Sequence, residues 1–144
     1  MHYKGYDVPG DLGLIIRVFV LAGHYRRAIH KKSLPVLIEG IKGAGDGPLR
    51  LITVQDQARL EKAARAADFL LLRVMGTAKP CLPRSLALLH WCREQGIKAE
   101  IAIGVKKSED LLEGHSWLLL GGRPYREDPE HLAEYTIMME GNNQ

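Results

Sequence analysis

The feature that most limits how this chain folds is a change of hydrophobic period at Gly96. Before it, apolar residues fall in long runs at helical spacing. After it, in "IKAEIAIGV", Ile97, Ala99, Ile101, Ile103 and Val105 share one parity, the two-residue period of a half-buried strand. Helices come first and strands last, so the order predicts an α+β domain with a small antiparallel sheet packed on a central helix. At 144 residues and 46% hydrophobic, the chain is long enough to bury one real core.

Punctuation places the elements. Residues 1–10, "MHYKGYDVPG", read as an extended lead-in closed by a Pro-Gly turn, with Asp11 capping a helix that runs to about Lys32. Ser33 opens a short second helix, with Pro35 in its first turn and Gly43 near its end. The loop "GAGDGP" separates an N-terminal helical segment, 1–48, from the remainder, 49–144. Thr53 and Asp56 have capping-box spacing at the head of a helix from about 54 to 75, which Gly76 ends. A fourth, apolar-rich helix runs from about Cys81 to Gln95, stopped by Gly96. Beyond the strand at 97–105, "SEDLLEG" reads as a polar connection. "HSWLLL" and "RPYRED" then form a hairpin turned on Gly121-Gly122. The tail from Pro129 fits either a short helix or a strand.

Several classes of function are disfavoured. The net charge is only +3, and the one dense basic run, "HYRRAIHKK" at 24–32, reads as the solvated end of an amphipathic helix, so no nucleic-acid partner is expected. The longest apolar stretch, "LGLIIRVFVLAG" at 12–23, contains Arg17 and is far short of the about 20 residues a membrane span needs. It lacks the flanks of a signal peptide and reads as a buried or partner-facing helix. Cys81 and Cys92 lie about 16 Å apart along a helix axis, beyond the about 7 Å that a disulfide tolerates. Free thiols suggest a reducing, cytoplasmic setting. The six histidines are scattered and no metal-ligand spacing is present, so neither a metal nor an organic cofactor is expected.

The chemistry lies in "KPCLPRSLALLHWC", which holds both cysteines. Pro80 and Pro83 flank Cys81 at a helix start, where free backbone N–H groups and the positive end of the dipole favour thiolate, and where the Cys81 N–H can meet an oxyanion. Cys92 falls among leucines in mid-helix and reads as a small core residue. A nucleophile needs a base and the base an orienting group. His115 opens a strand, and Glu127 and Asp128 follow on the returning arm. A two-residue turn sets His115 opposite Asp128, whereas a one-residue bulge brings Glu127 there instead.

"CLPRSLALLHWCREQGIKAEIAIGVKK" followed by "GHSWLLLGGRPYREDPEHLAEY" resembles the transglutaminase-like leader peptidases of lasso-peptide biosynthesis. The likeness runs over about residues 50–135 and rests on the Cys-Leu-x-Arg helix start, the Gly-Ile turn into a strand ending Ile-Gly-Val, and the His-x-Trp strand. It implies a papain- and transglutaminase-like core preceded by N-terminal helices, with Cys81, His115 and Glu127 in the catalytic positions and Asp128 one place late. The implied activity is cleavage of the leader from a ribosomally made precursor peptide, after which a partner cyclase closes the macrolactam. The residues before the core read as helices rather than the mostly β pattern of a leader-binding module, so the resemblance implies a stand-alone form served by a separate leader-binding protein. The apolar 12–23 and basic 24–32 stretches are candidate docking surfaces for that partner or for the leader. Members of this family commonly carry Ala after the histidine; Ser116 is expected to matter little. Two other readings stand beside this one: acyl transfer to an amine by the same dyad, and a non-catalytic peptide-binding module on the same scaffold.

Overall fold

The computed structural model describes residues 2–3, 6–45 and 47–140. Two short strands, β1 (His2–Tyr3) and β2 (Tyr6–Asp7), form a small antiparallel pair, and α1 (Val8–Ala28) follows without a break. The expected Pro-Gly turn is therefore absent: Pro9 and Gly10 lie in the first helical turn, where a missing N–H costs nothing. Asp11 sits inside that turn and pairs with Lys62 at 2.9 Å. Along α1, Leu14, Val18, Leu21, Ala22, Tyr25 and Ala28 form one buried stripe, while Leu12, Ile16 and Val20 on the other side remain about half exposed.

The second helix, α2 (Leu34–Lys42), starts after Ser33 and closes on Gly43, as its sequence signals require. The Thr53–Asp56 capping box forms in full, with Asp56 N donating to Thr53 Oγ1 at 3.1 Å and Thr53 N to Asp56 Oδ2 at 2.9 Å. It opens α3 (Val54–Asp68). The expected single helix to residue 75 instead widens into a π-helical turn over Phe69–Val74, before Gly76 ends it with φ of +60°. The wider turn keeps Leu71 in the core while Phe69, Leu72 and Val74 face outward.

The central helix is α4 (Cys81–Glu94). Leu86, Ala87, Leu88, Leu89, Trp91 and Cys92 are all buried, because α1, α2 and α3 cover one side and the sheet covers the other. Arg17 clamps Glu94 through two hydrogen bonds, and Tyr25 Oη lies 2.7 Å from His90 Nδ1, so α1 is fastened to α4 by polar contacts as well as packing.

The sheet contains β3 (Glu100–Ser108), β4 (Leu111–Leu120), β5 (Arg123–Pro124) and β6 (Thr136–Glu140), all antiparallel in the order β5-β4-β3-β6. The segment read as a polar connection is a tight hairpin turned on Glu109 and Asp110. The tail supplies both alternatives, a single-turn α5 (Pro129–Leu132) and then β6. One face of the sheet joins the main core through Ile101 and Leu118. The other holds Ala102, Trp117 and Leu119 under Leu132 and Tyr135, so the strand predicted as half-buried is covered on both faces at its centre.

Candidate active site

The N-terminus of α4 meets β4 beside a cleft of about 640 Å³, whose lining includes Cys81, His115 and Ser116. Cys81 is the first residue of α4. Pro83 has no N–H, and the first intrahelical bond runs from Arg84 N to Pro80 O at 2.9 Å. The N–H groups of Cys81 and Leu82 are thus first-turn donors with no carbonyl one turn back to accept them, and they face the end of the helix where negative charge is favoured.

His115 and Ser116 are neighbours on β4. Burial alone would push the Cys81 thiol up, but hydrogen bonds from His115 and from the N–H and hydroxyl of Ser116, with the charge of His115, bring it down to about 7. The bond to Cys81 also raises His115, burial opposes this, and the contact with Glu127 adds to the rise. Ser116 is 1% exposed, and its Oγ also lies 3.4 Å from the buried Ser85 Oγ. The substitution expected to matter little thus puts a hydroxyl directly against the thiol.

His115 Nε2 lies 2.6 Å from Glu127 Oε1, and both side chains are largely buried, at 17% and 12% exposure. That contact leaves Nδ1 as the ring nitrogen available to the thiol. The hairpin does turn on two residues, with both glycines left-handed (φ +58° and +79°), as Gly-Gly permits. The returning arm stays in register as far as Tyr125, whose N–H donates to Leu118 O at 2.8 Å, and Arg126 then takes φ of +59°. This kink, rather than a ladder bulge, swings Glu127 onto the free edge of β4. Asp128 is not in contact with His115; its side chain caps α5, accepting from Glu130 N at 3.0 Å.

The kink is anchored from outside. Asp68, at the end of α3, accepts from Arg84 at 3.0 Å and from Arg126 at 3.4 Å, and Tyr125 Oη donates to Glu61 at 2.8 Å. Arg84, part of the Cys-Leu-x-Arg motif, therefore ties the start of α4 to the arm bearing Glu127. The imidazole is held between rings: Trp117 stacks on it at 5.6 Å, with Tyr135 at 5.5 Å and His131 at 5.9 Å. Gly104 lies opposite His115 in the ladder, and a Cβ there would sit 2.9 Å from Tyr135 Cβ and 3.1 Å from the Trp117 ring. Only glycine lets the rings close over the histidine.

Cys92, by contrast, is fully buried, and desolvation pushes its thiol up to about 12. Among the described residues, no group of three or more His, Cys, Asp or Glu side chains is placed to hold a metal ion, and no helix is long and apolar enough to cross a membrane.

A helix-borne thiol set against a histidine on an antiparallel sheet defines an α+β thiol–imidazole scaffold. The comparisons give that scaffold its family. The model described as Transglutaminase-like superfamily matches residues 40–140, and the chain belongs to that superfamily. Its members include cysteine peptidases and acyl transferases. No curated protein and no solved structure gave a significant match.

Proposed function

We propose that the chain is a cysteine peptidase in which Cys81 is the nucleophile, His115 the acid and base, and Glu127 the group that orients the imidazole. The observation that carries this reading is that Cys81 and His115 line one cleft while His115 Nε2 lies 2.6 Å from Glu127 Oε1. Thiolate on Cys81 attacks the scissile carbonyl, and the oxyanion that develops accepts from the Cys81 N–H. As the C–N bond breaks, His115 delivers its proton to the leaving amine, leaving an acyl group on Cys81. Water, losing a proton to His115, attacks that thioester; the C–S bond breaks, and the acid product leaves. Glu127 holds Nδ1 towards the sulfur throughout and offsets the imidazolium charge.

The substrate that best fits the motifs is a ribosomally made precursor peptide of the lasso class, cleaved between leader and core. A separate leader-binding protein would present the leader, and a cyclase would act on the freed amine. Acyl transfer differs only in that an amine replaces water. A non-catalytic module is disfavoured by a thiol, an imidazole and a carboxylate aligned within hydrogen-bond reach.

Mass spectrometry of such a precursor, incubated with its leader-binding protein and with wild type, Cys81→Ala or Cys92→Ala, tests the reading. The expected outcome is leader bearing a free carboxylate with wild type and Cys92→Ala, and none with Cys81→Ala. Leader joined to an amine indicates acyl transfer, and release that survives Cys81→Ala sinks the proposal.

A further inference from the structure

We infer that the cleft beside Cys81 selects a peptide with a carboxylate close to the scissile bond, through a cationic wall formed by Arg26 and Lys79, with the His30 imidazole beside them. This deepens the peptidase reading above and rests on it.

The wall is built from two segments. Arg26 lies in the last turn of α1, and Ile29 and His30 lie in the turn that directly follows it, where Ile29 N still donates to Tyr25 O at 3.1 Å. Lys79 precedes Cys81 by two residues in the connection from Gly76. All three line the cleft that holds Cys81 and His115, and no Asp or Glu lines it. The basic run that reads from sequence as a solvated helix end thus turns part of its charge onto the candidate active site.

These charges are unmatched within the described protein. Arg17 is paired with Glu94, Arg50 with Asp56 and Arg84 with Asp68. Among the described residues, no carboxylate is paired with Arg26, His30 or Lys79. Arg26 Nε donates to Thr77 Oγ1 at 3.0 Å, which fixes the guanidinium over the segment leading to the nucleophile. One of its five donors is used, and the terminal fork is left to bind a planar anion such as a carboxylate. Leu82 and Ile103 give the same cleft an apolar floor. A charged hydrogen bond made against such a floor is screened less than one on an open surface.

The test uses probes that need no knowledge of the native substrate. Iodoacetate and iodoacetamide alkylate the same thiol and differ in charge. The iodoacetate-to-iodoacetamide rate ratio at Cys81 is expected to fall about two- to threefold for each charge removed, in Arg26→Gln and in Lys79→Gln. Peptidyl fluoromethyl ketones carrying Asp, Asn or Lys beside the reactive carbon, or one residue further away, then read the substrate class. Asp probes are expected to label Cys81 about tenfold faster than Asn probes, the effect of one partly buried charged contact, and to lose that advantage in the variants. A free C-terminal carboxylate on an otherwise neutral peptide, compared with its amide, distinguishes a chain end from an acidic side chain as the preferred carboxylate. Lys79→Gln keeps the test open should Arg26→Gln, which breaks the Thr77 contact, fail to fold. An unchanged alkylation ratio with equal labelling by Asp and Asn probes overturns the inference while leaving Cys81 chemistry intact. A Cys81 no more reactive at neutral pH than a free thiol overturns the nucleophile reading instead.

Discussion

Cys81 and Cys92 lie eleven residues apart on one helix, and the two ends of that interval are chemically opposite. At the first residue of α4, burial alone would raise the thiol, but the His115 imidazole and the donors of Ser116 hold it down at about 7. Three turns on, packed in the core with Trp91 and Leu88, the same functional group is pushed up to about 12 because nothing there compensates for lost water. Reactivity here depends on where along a helix the residue falls and on what the neighbouring strand offers it, not on residue type.

The sharpest way to probe this difference is to remove the support behind His115. Glu127→Gln keeps the shape but removes the negative charge, and turnover is expected to fall on the order of a hundredfold or more. Asp128→Asn, which leaves the capping oxygen of α5, is expected to stay within about twofold of wild type. Steady-state kinetics on a cleaved peptide compares the two; equal losses would mean that the short His115–Glu127 contact plays no part in the chemistry.

A smaller effect is expected in the pH dependence of Cys81 alkylation. A depressed thiol pKa means that the folded protein holds thiolate above about 7, where an ordinary thiol is still protonated up to about 9. The iodoacetamide rate should therefore rise through a midpoint near 7 as the pH increases. Ser116→Ala removes the hydroxyl but keeps the backbone donor, so its midpoint should move upward, with a several-fold lower rate at pH 7. His115→Ala should move it further in the same direction. If Ser116→Ala leaves the midpoint in place, the hydroxyl serves packing alone.

The smallest change is expected at the other end. Cys92→Ala leaves a gap of one sulfur atom in a closed core and should cost about 1 kcal/mol, seen as a melting temperature lower by a few degrees with turnover unchanged. A large loss of activity without a loss of stability would break the contrast between the two cysteines.

Much of the scaffold was legible because its signals are local. The Thr53–Asp56 box, the glycines at 76 and 96 and the Gly121-Gly122 turn each act within a few residues and form as read, while the strand read at 97–105 forms as Glu100–Ser108 and is covered on both faces at its centre. What was missed depends on contacts distant in sequence or on ambiguous punctuation. Pro9-Gly10 carries a turn signal, yet proline is equally at home in a first helical turn, and the helix took it. Ladder register alone leaves Glu127 and Asp128 both open and cannot foresee a left-handed Arg126, held by Asp68 from 58 residues away; it is the resemblance that points to Glu127. The surroundings of Ser116 are equally illegible in sequence, because its neighbour across space is a cysteine on another element.

The wall contributed by α1 has a consequence for how such proteins diversify. The groups that meet at the thiol all fall within 40–140, the stretch common to the superfamily, whereas Arg26, Ile29 and His30 lie outside it. Under the proposed reading, the reacting groups fall within the matched stretch while part of the cationic wall comes from outside it, where Arg26 meets Thr77. Substitutions at the end of one helix would then alter which peptide is preferred and leave Cys81, His115 and Glu127 in place.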